Sequence, residues 1–106
     1  MAKLPSTFRA ANRTTRQYRE LYARLPRHIQ ELTRVACLLF DQDPDHPSLR
    51  RHLLDDRKKA KHHPDSFSVS ITIQYRAIYF FDEQTEQNVW YWIGTHAQYD
   101  KFTGKR

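Results

Sequence analysis

The spacing of apolar residues changes once along this chain, and the change limits the folds open to it. An early segment repeats apolar residues at intervals of three and four, which lines one face of a helix: Tyr18, Leu21, Tyr22 and Leu25. A later segment alternates apolar and small polar residues, which is typical of a half-buried strand: Phe67, Val69, Ile71 and Ile73 among Ser66, Ser68, Ser70 and Thr72. The chain is therefore predicted to be α+β, with its helices before its main strands.

The helical part is predicted to form two helices, over about residues 13–24 and 27–42. Pro26 separates them, because proline suits the first turn of a helix and not its interior. A connection this short predicts an antiparallel helical hairpin. Cys37 lies in the apolar part of the second helix, so we expect it to be buried and inert.

The later part is predicted to form a meander of strands with the hairpin on one face. An unbroken strand over 67–81 would be unusually long, and a reversal near residues 72–74 would divide it, although these are poor turn residues. A polar loop over 82–88 precedes an aromatic strand over 89–93 that Gly94 ends. We also expect a turn or strand within 49–54, a short first strand over 6–11, and a short helix from His96.

Positive charge is concentrated in the first third of the chain. The sequence has 18 basic and 12 acidic side chains, and its net charge of +6 lies entirely in residues 1–34. Such a surface attracts phosphate polymers or an acidic partner, but a solvated arginine-rich helix face accounts for it equally well. A second basic cluster reads as an exposed loop, which binds RNA or serves only for solubility: Arg57, Lys58, Lys59 and Lys61.

Several kinds of site lack their usual residues. No pair among the six histidines has the spacing that places two metal ligands on one helix face, and the single cysteine cannot form an internal disulfide. The two glycines form no phosphate-binding loop, and no apolar run approaches the length of a membrane span. We therefore expect one reduced, cytoplasmic domain over 1–106, with no metal, cofactor or membrane contact.

Three polar side chains remain as candidates for catalysis, each with a structural alternative. Arg76 interrupts an apolar strand and is either paired with an acid or aimed at a phosphate. His96 and Tyr99 share a helix face if 96–102 is helical. They either pack by hydrogen bonding at the sheet edge or act as a general acid or base.

The chain resembles the RelE/ParE superfamily of bacterial type II toxin–antitoxin toxins over roughly residues 8–102. Five segments carry the resemblance in the right order and spacing: Leu25-Pro26; Asp43-Pro44 with His46-Pro47-Ser48-Leu49; residues 67–71; residues 74–79; and residues 92–100. The resemblance implies a short first strand, a helical hairpin and a three-stranded antiparallel meander with a real reversal near Ile73.

The resemblance also implies a function and a site. RelE-like members enter the ribosomal decoding site and cleave messenger RNA without a metal, the ribose 2′-OH attacking the adjacent phosphate. By this likeness Arg76 would stabilise the phosphorane, His96 would shuttle a proton, and Tyr99 would orient the site or stack on a base. Arg57, Lys58, Lys59 and Lys61 would contact the RNA.

The sequence departs from many active relatives at two points. Ser70 stands where they carry a second arginine, and an acidic general base has no clear counterpart, with Asp55, Asp56 and Asp65 as nearby candidates. The same fold also serves a ParE-like inhibitor of DNA gyrase or a non-catalytic binding module. All three functions imply an antitoxin partner that covers the basic surface, through an acidic amphipathic helix or an added strand.

Overall fold

A computed structural model describes residues 10–55 and 60–104. Its centre is a five-stranded sheet in the order β1-β5-β4-β3-β2. The strands are β1 (Ala11–Thr14), β2 (His52–Leu53), β3 (Ser66–Ser70), β4 (Tyr75–Asp82) and β5 (Gln87–Thr95). The predicted meander of β3, β4 and β5 is antiparallel and is confirmed, whereas β1 joins β5 in parallel, so the sheet is mixed.

In the described part of the chain, three α-helices accompany the sheet: α1 (Arg16–Ala23), α2 (Arg27–Gln42) and α3 (His96–Phe102). The predicted second helix has the observed bounds, but the first begins at Arg16 and not at residue 13. The chain before it pairs with β5, and the Thr15 hydroxyl accepts a hydrogen bond from the Tyr18 amide as the N-cap. The predicted first strand over 6–11 is observed instead at Ala11–Thr14, and residues 6–9 lie outside the described part.

The expected reversal between β3 and β4 is present. Ser70 pairs with Arg76, and the Ile71 amide donates to the Tyr75 carbonyl at 2.9 Å. The fifth strand is longer than predicted, because Gln87 and Asn88 pair with β4 and Gly94 lies inside the strand instead of ending it. Within the predicted 49–54 segment, β2 follows a 3-10 turn over Pro47–Leu49.

The sheet buries apolar side chains on both faces. The helical hairpin covers one face, where the core contains Tyr18, Phe40, Val69, Ala77, Tyr79, Trp90 and Ile93. Helix α3 covers part of the other, where Ile78, Tyr91, Trp92 and Tyr99 cluster with Leu54. Because side chains alternate along a strand, Arg76 shares the second face with Ile78 and lies opposite Ala77.

The outer surface of α2 corrects one expectation. Cys37 is exposed and not buried. Two neighbouring apolar side chains, Val35 and Leu38, are exposed by 60% and 65%. Their side chains widen the apolar stripe of α2 beyond the width that the sheet covers. Within the described residues, no helix is both long and apolar enough to cross a membrane.

Candidate functional site

Arg76 is held by neighbours from two directions at the start of β4. Its Nη1 donates to the Ser70 hydroxyl at 2.8 Å, across the β3–β4 pair. Its Nε donates to Nδ1 of His96 at 3.3 Å, and its guanidinium carbon lies 5.3 Å from the centre of the Tyr99 ring. The two hydrogen bonds use two of the five N–H donors of a guanidinium, so the group keeps donors for a phosphate.

His96 is the first residue of α3, and the helix start determines where its ring lies. Thr95 and Gln98 form a capping box, in which each side chain accepts a hydrogen bond from the other residue's amide. The His96 amide donates to the Gln74 carbonyl at 2.7 Å, which ties the helix to the turn before β4. The His96 side chain remains 47% exposed. The ring is therefore fixed in position and open to a ligand.

The neighbours of His96 define how its neutral ring is protonated. Since Arg76 donates to Nδ1, that nitrogen is the acceptor and the ring proton lies on Nε2. Nε2 faces a carboxylate oxygen of Asp100, 3.6 Å away and one turn further along α3. The His96 and Tyr99 rings are stacked with centres 5.9 Å apart, so the predicted sharing of a helix face is confirmed.

Tyr99 supports the site from inside. It is only 6% exposed and packs against Trp92 beneath Arg76. A ring buried in this way does not present a face on which an incoming base can stack, so the stacking role that the resemblance implied does not fit. The ring instead holds the guanidinium from below, which fits the orienting role.

His52 is a member of the site that the sequence analysis missed. The Tyr99 hydroxyl lies 3.4 Å from its Nε2, and His52 pairs with Ser68 at the β2 edge of the sheet. Residues 50–54 carry no local pattern that distinguishes this histidine from the other five. Only the pairing of β2 with β3 brings it close to a residue 47 positions away.

The predicted RNA-binding loop is described only in part. Arg57, Lys58 and Lys59 lie outside the described residues. Lys61 is exposed, and its amide donates to the Phe102 carbonyl at the last residue of α3. Since α3 has seven residues, its length separates this amide from His96 by about 10 Å.

The acidic candidates near the basic loop are not the carboxylates that meet the site. Asp55 and Asp65 are exposed, and Asp56 lies outside the described residues. The carboxylate beside the imidazole belongs to Asp100, which the sequence analysis did not select. Its place four residues after His96 was a usable signal, because such residues are neighbours on a helix.

Taken together, the geometry joins the three candidate side chains, a guanidinium, an imidazole and a phenol. Within residues 10–55 and 60–104, Arg76 hydrogen-bonds to a hydroxyl and an imidazole and does not pair with an acid, which was its structural alternative. In the described residues, no group of three or more histidine, cysteine or acidic side chains is placed to hold a metal ion. The arrangement can bind an anion at Arg76 and exchange a proton at His96.

Comparison with known proteins identifies the fold. No family model matches the sequence, and no curated protein matches it. Among solved structures, the RelE–RelB complex of Pyrococcus horikoshii matches with a TM-score of 0.64 at 11% identity, over 86% of this chain and 99% of the other. The RelBE2 toxin–antitoxin complex of Mycobacterium tuberculosis matches with a TM-score of 0.61 at 19% identity, over 84% and 100%.

A third similar structure, a YoeB/ParE toxin from Agrobacterium tumefaciens, matches with a TM-score of 0.60 at 15% identity, over 81% of this chain and 98% of the other. All three matches cover nearly the whole of the other chain. The chain described here therefore has the RelE/ParE-like toxin fold.

Proposed function

We propose that this protein is the toxin of a type II toxin–antitoxin system and that it cleaves messenger RNA on the ribosome without a metal. The observation that carries the proposal is the contact of Arg76 with His96 above Tyr99 at a partly exposed sheet end. Similarity of the fold to RelE and YoeB/ParE toxins supports the class of protein. Support for the chemistry has to come from the site, because one fold can carry several unrelated functions.

In this proposal the ribose 2′-OH attacks the adjacent phosphorus. The P–O2′ bond forms and the P–O5′ bond breaks, which leaves a 2′,3′-cyclic phosphate and a 5′-hydroxyl. Negative charge builds on the non-bridging oxygens in the transition state. The Arg76 guanidinium, already oriented by Ser70 and Tyr99, stabilises that charge.

His96 acts as the base once the substrate has displaced its hydrogen bond from Arg76. A bound phosphate attracts the guanidinium more strongly than a neutral ring nitrogen does. Nδ1 then becomes free to accept the proton of the 2′-OH. The resulting imidazolium returns a proton to O5′ as the leaving group departs.

The proposed partner is an antitoxin with an acidic amphipathic helix. The helical hairpin presents three exposed apolar side chains on α2, at Leu32, Val35 and Leu38. Five arginines of the same hairpin are exposed as well, at Arg16, Arg19, Arg24, Arg27 and Arg34. An apolar stripe with basic neighbours fits a helix that is apolar on one side and acidic at its margins. Two of the similar structures are toxin–antitoxin complexes.

The test replaces the two central residues separately and measures cleavage. We expect Arg76→Ala and His96→Ala each to lower the rate of messenger cleavage on ribosomes by about a hundredfold or more. Growth inhibition in the cytoplasm of a host without antitoxin should fall in parallel. Matched controls are Arg24→Ala and His28→Ala, which remove the same side-chain types from the exposed hairpin. Cleavage is mapped by primer extension, and folding is checked by circular dichroism.

Three results would contradict the proposal. Arg76→Ala and His96→Ala variants as inhibitory as the parent would remove these residues from the reaction. Inhibition of DNA supercoiling by the purified protein, with intact messenger RNA, would identify a ParE-like gyrase inhibitor. Harmless overproduction without an antitoxin would identify a non-catalytic binding module.

A further inference from the structure

We propose that Asp100 is a positioning residue, which orients the His96 ring through Nε2 and stabilises the imidazolium that forms when Nδ1 takes a proton. This inference rests on the proposed function for the reaction, although the contact itself is independent of it. Asp100 touches neither substrate nor reacting atoms and acts only through His96.

The geometry of α3 brings the two side chains together. His96 and Asp100 lie one helical turn apart, with Nε2 and Oδ2 separated by 3.6 Å. Arg76 occupies the other ring nitrogen. The imidazole therefore lies between the Arg76 guanidinium, which contacts Nδ1, and the Asp100 carboxylate, which faces Nε2. The substrate can free Nδ1, whereas Nε2 keeps facing the Asp100 carboxylate.

The environment of Asp100 indicates more than a surface ion pair. Its side chain is only 24% exposed. The second carboxylate oxygen, Oδ1, is buried and has no hydrogen-bond partner among the described residues. A buried acceptor without a donor destabilises the fold. A favourable interaction with a positive charge on His96 offsets that cost, and it is strongest when the ring is protonated during the reaction.

Among the described residues, three charged or titratable groups that face His96 determine the direction in which its charge is favoured. They are Arg76 from β4, Tyr99 from the same helix, and Asp100. Arg76 disfavours a positive charge on the ring, and Asp100 favours it. Removing the Asp100 charge while keeping Arg76 therefore makes the ring harder to protonate, so its titration should move to lower pH.

The first experiment follows the His96 ring by NMR as pH changes, in the full chain without substrate. In Asp100→Asn the ring should become harder to protonate, because the carboxylate that faces Nε2 has lost its charge. The matched control is Asp82→Asn, since Asp82 is 25% exposed and lies 3.7 Å from its own cationic partner, Arg13. The control should leave the His96 titration unchanged. An unchanged midpoint in folded Asp100→Asn would overturn the inference.

The second experiment measures messenger cleavage on ribosomes against pH. Asp100→Asn should lower the maximal rate by about tenfold or more and move the acidic limb of the profile to lower pH. Asp100→Glu keeps the charge and should recover part of both effects. If Asp100→Asn does not fold, Asp100→Glu provides the test instead. A His96 titration and a cleavage rate like those of the parent, in Asp100→Glu as in the Asp82→Asn control, would support the inference. A lower rate with no change in the His96 titration or in the pH profile of cleavage would assign Asp100 a structural role only.

The two experiments separate this inference from the proposed function. A parent protein that cuts no RNA refutes the nuclease proposal, but a shifted His96 titration in Asp100→Asn still establishes the contact. An active parent with an Asp100-independent titration leaves the nuclease intact and refutes the role of Asp100.

Discussion

Gly94 lies directly across from Arg76 in the β4–β5 pair, on the face that carries the site. A Cβ at this position would lie 2.7 Å from the Gln98 amide oxygen and 2.8 Å from the Trp92 ring. Both neighbours hold α3 in place, because Gln98 closes its capping box and Trp92 packs against Tyr99. The missing side chain allows the helix to fold back closely onto the strand that precedes it.

We expect Gly94→Ala to destabilise the protein by about 1–3 kcal/mol, as overpacking of a close contact usually does. The added methyl group would displace Gln98 or Trp92 and with them the ring of His96. Cleavage should therefore fall more than the loss of folded protein explains. Urea unfolding followed by tryptophan fluorescence measures the first effect. A variant as stable as the parent would show that this contact tolerates a side chain.

Helix α3 is the element that turns three separate residues into a site. It begins at His96, contributes Tyr99 and Asp100, and ends where the Lys61 amide meets the Phe102 carbonyl. A helix of seven residues is too short to be stable alone. Its stability comes from the capping box at Thr95 and from the packing of Tyr99 and Phe102 against Trp92.

The cap of α3 can be tested against the equivalent cap of α1. Thr95 and Thr15 each accept a hydrogen bond at the start of their helix. We expect Thr95→Ala and Thr15→Ala each to lower the free energy of unfolding by about 1 kcal/mol. Only Thr95→Ala should lower the rate of messenger cleavage, by severalfold, because only α3 positions His96. Equal rates in the two variants would separate the helix start from catalysis.

At the scale of the whole molecule, the sheet buries tyrosine rings on both of its faces. The hairpin face is an aromatic core, in which Phe40 meets Tyr79 and Trp90 edge to face with ring centres 5.3 and 5.1 Å apart. Burial raises the pKa of Tyr79 above its ordinary value of 10.0, even though the hydrogen bond from Arg51 lowers it. Burial likewise raises the pKa of Tyr91 and that of Tyr18.

These tyrosines predict how stability depends on alkaline pH. In the unfolded chain they lose their protons near the ordinary value of 10.0, whereas in the fold they hold them to higher pH. Their contribution to stability is therefore complete below pH 10 and is lost as pH rises further. Each group adds a slope of up to about 1.4 kcal/mol per pH unit. In Tyr18→Phe the free energy of unfolding should fall less steeply between about pH 10 and 11.5. A slope equal to that of the parent would contradict this account.

Much of the fold could be read from local patterns. The prediction for α2 has the observed bounds, and the two-residue repeat over residues 66–73 contains the whole of β3. The ends of a helix or strand could not be predicted in this way where they depend on pairing with a distant segment. The start of α1 depends on the pairing of β1 with β5, and the length of β5 depends on the register of β4.

The amino-acid sequence alone determined which side chains have the chemistry and where the helical spacing gives way to strand alternation, because periodicity is a local property of the chain. The tertiary structure alone decided which of them meet. Arg76 met His96 and His52 met Tyr99 through the return of α3 over the sheet and the β2–β3 pairing, and Tyr99 became buried. Such contacts depend on packing between segments far apart in the chain, and no local pattern specifies that packing.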